Sequence, residues 1–186
     1  MVRYSRAAVR LLACSCTIVL LSLPLNAADG QARWDRYEAG TLTAIIRAQG
    51  PIILANESLV PTKSSPKHPG YHYSGEDYPT RALVVYKGDS RPLDPNRREI
   101  LRGWGLAFQR DSTVADNFTR EYLFQEGDQA LWLPVQDTVA SYFQKELKPG
   151  QLVTLYAMFL GAYYAGRDIT WAFIVNEFEA QPRGNQ

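Results

Sequence analysis

The chain contains only two cysteines and two histidines, and no run of lysine or arginine longer than the pair Arg97-Arg98. Each scarcity removes a class of function. Cys14 and Cys16 both lie in the first 27 residues, which have the layout of a secretory leader. Arg3, Arg6 and Arg10 form a positive start, residues 11–25 an apolar stretch interrupted by Pro24, and Ala27 and Ala28 a small-residue exit. Cleavage after Ala27 leaves a thiol-free chain, without disulfides, thiolate nucleophiles or cysteine metal sites. The segment Leu11-Leu12-Ala13-Cys14 is similar to a lipoprotein box, but here the apolar core follows the cysteine instead of preceding it. As an uncleaved anchor, the stretch falls short of the ~20 residues that a spanning helix needs.

Removing the leader takes three arginines, so a formal charge of +1 becomes −2. Nucleic-acid binding depends on clustered basic residues to neutralise phosphates, and no such cluster is left. A polybasic membrane surface is disfavoured for the same reason. The expected location is the bacterial periplasm or the secreted fraction. The expected partner is an unidentified protein or small ligand of the cell envelope, with no nucleic acid and no stable membrane anchor after cleavage. With six asparagines in the chain, Asn56-Glu57-Ser58 and Asn117-Phe118-Thr119 read as chance matches to a glycosylation pattern.

Catalytic motifs are also lacking. No serine lies in a Gly-x-Ser-x-Gly setting, and Gly103-Trp104-Gly105 lacks the third glycine or the lysine of a phosphate-cradling loop. The residues name no cofactor. Catalysis is therefore the less favoured expectation, and binding the more favoured one.

What remains is a single body of strand-like segments. The predicted organisation is a leader over 1–27, a linker over 28–40, one β-rich domain over 41–179 and a disordered tail over 180–186. Such a chain buries roughly 70% of its unfolded surface, enough for a core without cross-links. The β-branched residues of 41–54, split by Gly50-Pro51, predict two strands or one bent strand. Residues 61–79 carry Pro61, Pro66, Pro69, Gly70, Gly75 and Pro79, and predict a long irregular connection. Residues 81–87 read as a buried strand ended by Gly88-Asp89. A short helix follows, capped by Asp94, with Pro95 at its first position and an end at Gly103. Residues 104–108 read as a strand, and 121–126 and 129–135 as a hairpin about Gly127-Asp128. Val139, Phe143 and Leu147 give one apolar helix face, with Asp137 or Thr138 as cap. Residues 151–163 and 168–178 form the longest strand pair, apolar on both faces and so covered on both. The order fits an all-β or α+β fold, a small OB-like or SH3-like barrel with one helix before a long terminal hairpin.

Two candidate sites fall in the 61–79 connection. Tyr71, Tyr73 and Tyr78, flanked by Trp104, offer stacking surface with hydrogen-bonding tips for a ligand or partner. His68, His72, Glu76 and Asp77 supply imidazole and carboxylate donors for a divalent metal, and hence an alternative as a metal-binding protein or metal-dependent hydrolase. Pro69-Gly70 between the histidines removes the helical geometry that would align them.

Overall fold

A computed structural model describes residues 34–58, 69–76, 78–165 and 168–181, with the side chains of 56–58 and 144 excepted. The predicted leader, the first part of the linker (28–33) and most of the tail lie outside the described residues, as do His68 and Asp77. The fold is β-rich: seven strands in one sheet, with helices on its flanks. The elements are β1 (Glu38–Gly40), α1 (Leu42–Ser58), β2 (Gly70–Tyr73), β3 (Thr80–Pro92), α2 (Pro95–Trp104), a π-helical turn (Gly105–Gln109) and a 3-10 helix (Ser112–Asn117). They continue with β4 (Arg120–Glu126), β5 (Gln129–Pro134), α3 (Asp137–Glu146), β6 (Leu152–Ala165) and β7 (Asp168–Ala180).

β6 organises the sheet. One edge pairs with β7 from Val153↔Ala180 to Ala165↔Asp168, and the other pairs first with β3 and then with β2. The far edge of β3 takes β1 in parallel and then β4, which forms the hairpin with β5. The end of β5 meets β7 at one parallel bridge, Val135↔Val175, and Gln136 N donates to Val175 O at 3.2 Å. No longer ladder joins β5 to β7, so the sheet is not closed.

Both faces of the β6–β7 pair are covered, as its doubly apolar alternation predicts. Inward, Val153, Leu155, Ala157, Phe159, Phe173 and Val175 join one core, into which α3 inserts Phe143. That ring meets Tyr86, Tyr122, Phe124 and Phe178 in tilted-to-perpendicular contacts 4.9–6.0 Å between centroids. Outward, Met158, Leu160, Ala172 and Ile174 meet Ile100, Leu101 and Trp104 of α2, and Ala115 of the 3-10 helix. Polar contacts tie this outer layer down. Glu121, fully buried, accepts from Arg91 Nε and from Arg97 Nη1 at 2.8 Å, while Arg97 Nε donates to Trp171 O. Asp94 caps α2 through the amides of Asn96 and Arg97, with Pro95 opening the helix, as expected.

Several expectations change. Residues 42–58 are helix and not strand. Their β-branched content favours a strand, but Leu42, Gln49 and Ile53 recur at helical spacing and are the ones buried. The first turn is held from outside: the Glu126 carboxylate accepts from Leu42 N at 2.9 Å and Thr43 N at 2.7 Å, and Thr41 Oγ1 accepts from Ala44 N. Residues 104–108 also depart from strand. Trp104 ends α2, and the next five residues form a wide turn closed by Arg110, whose φ is +57° and whose amide bonds Gly105 O. Within the expected irregular connection, Gly70–Tyr73 is a strand, because β6 runs eight residues beyond its last pair with β3 at Ala157 and leaves an edge that β2 takes at residues 161–164. β3 continues past Gly88 through a register shift between Tyr86 and Ser90. Asp137 does not cap α3; it accepts from Thr119 N and Oγ1, and Gln136 stands at the cap without a side-chain bond. The end of the 28–40 segment, whose aromatic residues leave it free to dock, packs on the body through β1 and the rings of Trp34 and Tyr37. Tyr37 is buried against Trp34 and Tyr156, and accepts from Asn176 Nδ2 at 3.0 Å.

Candidate functional site

Pairing with β6 aims the residues of β2 alternately. Tyr71 lies opposite Tyr163 and Tyr73 opposite Gly161, on the side of the sheet that carries α2. His72, opposite Ala162, points the other way. Gly161 fixes this approach: a Cβ there would lie 2.0 Å from His72 O, and its φ of +149° suits no other residue. A register shift between Phe159 and Gly161 turns β6 at the same point.

Tyr71 and Tyr73 are exposed at 40% and 36%, with ring planes within 6° of parallel and centroids 6.3 Å apart. Tyr163 backs Tyr71 at 5.2 Å. Tyr73 lies flat on α2 where Gly103 has no side chain; a Cβ there would fall 2.3 Å from the Tyr73 hydroxyl. Beyond it, Phe108 of the π-helical turn is exposed and sits against Gly75. The result is an aromatic face of Tyr71, Tyr73 and Phe108 on a backbone held by β6 and α2. Partial burial, with the nearby Glu99 carboxylate contributing, raises both phenols above their ordinary range. At neutral pH they keep their protons and can donate.

Of the other candidates, Trp104 is buried. Its Nε1 donates to Ser74 O at 3.2 Å and its ring lies 5.9 Å from Phe108, so it supports the face from beneath. Tyr78 is not part of that face; it packs on Phe159 and accepts from Gln49 Nε2. His72 is partly buried, and that desolvation pushes its imidazole below the usual histidine range. Glu76 is exposed, its carbonyl accepting from Ser74 Oγ at 2.6 Å. His68 and Asp77 lie outside the described residues. Among the described residues, no three His, Cys, Asp or Glu side chains group closely enough to hold a metal ion.

Sequence reasoning missed Phe108 and Tyr163. Phe108 falls in a segment that reads as a strand, and the facing of Tyr163 on Tyr71 becomes visible only once β2 is paired. The chain matches no protein-family model, no curated protein and no solved structure.

Proposed function

We propose that the protein is an exported domain of the bacterial envelope, acting by binding and not by catalysis. Its leader is removed after Ala27 during export, and the aromatic face on β2 receives a ligand or partner protein. The observation that carries this reading is the parallel, exposed pair Tyr71 and Tyr73 on a strand fixed by Gly161 and Trp104. Large apolar rings held open to solvent on rigid backbone favour association, since little side-chain or loop entropy is left to lose on binding.

The finer fold belongs to the same proposal. Read as β3-β4-β5-β7-β6, with α3 between the third and fourth strands, the order is that of a five-stranded OB-type barrel. The Val135↔Val175 bridge supports it by bringing the two ends of the sheet together. Fold analogy lends nothing to function, which rests on the aromatic face alone.

The test is affinity capture from envelope extract with the wild-type protein and with Tyr71→Ala/Tyr73→Ala. A species retained by the wild type and lost from an equally folded double variant is the expected result. Equal retention by both, or none by either, removes the proposal.

A further inference from the structure

Tyr78 holds a φ of +40°, which an aromatic residue adopts only when its surroundings impose it. Three bonds do so. Thr80 Oγ1 donates to Tyr78 O at 2.9 Å, Gln49 Nε2 donates to the phenol oxygen at 3.1 Å, and the phenol donates to the Glu76 carboxylate. Gln49 is itself buried on α1. The phenol is thereby fixed in the wall of a cleft of about 410 Å³, bounded by Arg36 and β1, the first turn of α1, and Glu76, Tyr78, Pro79 and Thr80.

Three charged side chains line this cleft: Arg36, Glu38 and Glu76. Among the described residues, no ion pair joins Arg36 to either carboxylate, or either carboxylate to another cation. Arg36 instead approaches the Met158 sulfur at 3.8 Å and lies 5.5 Å from the Tyr37 ring centroid. Charges of opposite sign lining one cleft, unpaired with each other, suit a ligand that carries both signs. The volume lies in the range of small-molecule sites. Thr41 and Thr80 add hydroxyls to the lining.

We propose that this cleft binds an amino acid or short peptide in its zwitterionic form, its carboxylate on Arg36 and its ammonium on Glu38 and Glu76. The cleft is separate from the Tyr71–Tyr73–Phe108 face, and neither reading depends on the other.

Calorimetric titration of the purified protein with dialanine tests it, with N-acetyl-dialanine and dialanine amide as ligands blocked at one end or the other. Binding of dialanine and loss of both blocked forms is the expected pattern. Arg36→Gln and Glu76→Gln should each weaken binding roughly tenfold or more, as for loss of a charge-assisted contact. Lys87→Gln, an exposed cation outside the cleft, should leave it unchanged. No binding at about 10 mM dialanine, equal affinity for the blocked forms, or unaltered affinity in both cleft variants overturns the proposal. The blocked ligands need no mutant, so a variant that fails to fold does not spoil the test.

Discussion

The two sides of the β6–β7 pair are both dry, yet they are held by different means. Inside, side chains from five strands and α3 converge on Phe143 with little polar assistance. Outside, α2 and the 3-10 helix lie on the sheet through a smaller apolar cluster, with specific polar ties: Glu121 to two arginines, Trp104 to Ser74 and Asn176 to Tyr37. The inner side depends on volume, which is undirected, and the outer side on bonds, which set position. The aromatic face of β2 is built on the outer side.

Substitutions can break this contrast. The largest effect is expected from Phe143→Ala, a loss of about 3–5 kcal/mol from a cavity ringed by four aromatics, read by chemical denaturation. Glu121→Ala should cost about 2–3 kcal/mol, below the range for a fully enclosed pair because Arg91 reaches solvent. Its distinguishing mark is faster hydrogen exchange in α2 than in α3. Trp104→Phe keeps most of the ring but leaves Ser74 O without its donor. We expect a cost of about 1–2 kcal/mol, with exchange rising first at the β2 amides. Global unfolding with no local excess would show that β2 is not separately tied. Tyr71→Ala/Tyr73→Ala should cost about 1 kcal/mol or less, since both rings are exposed. A larger loss by thermal denaturation would make the face a structural device.

The smallest effect is a pH dependence from His72. Burial lowers its folded-state pKa below the unfolded value of 6.5, so the unfolded chain takes up a proton first as the medium becomes acidic. The contribution of the neutral ring to stability is complete above pH 6.5 and is lost as the pH falls through the folded pKa. Denaturation midpoints of wild type and His72→Gln should converge toward acid pH. Parallel curves would place His72 in solvent.

Legibility in the sequence follows the same division. Strand alternation at 153–159 and 173–175, the Gly127-Asp128 turn, the Asp94-Pro95 helix start and the Val139/Phe143/Leu147 stripe all signal locally, and each is found in the fold. Helix α1 is not legible locally because its stabilising partner, Glu126, is 84 residues away from Leu42. β2 is not legible because its strand character comes from the free edge of β6 and not from its own residues. Of the candidate site, Tyr71 and Tyr73 were identifiable as a local aromatic cluster. The displacement of Tyr78 to another wall and the burial of Trp104 are not, since the first follows from its contacts with Gln49 of α1 and Phe159 of β6 and the second from the packing of α2 on β6 and β7.

The bond from Glu126 to the start of α1 has a consequence for the order of events in folding. Residues 42–58 carry four isoleucines, Gly50 and an internal Pro51, a poor sequence for a free-standing helix. The anionic group that satisfies its leading amides sits at the tip of the β4–β5 hairpin. That segment is synthesised before the residue that caps it, and is expected to order only after the β4–β5 hairpin has formed. Mutating Glu126 should hasten its detachment while leaving the assembly rate of the strands nearly unchanged.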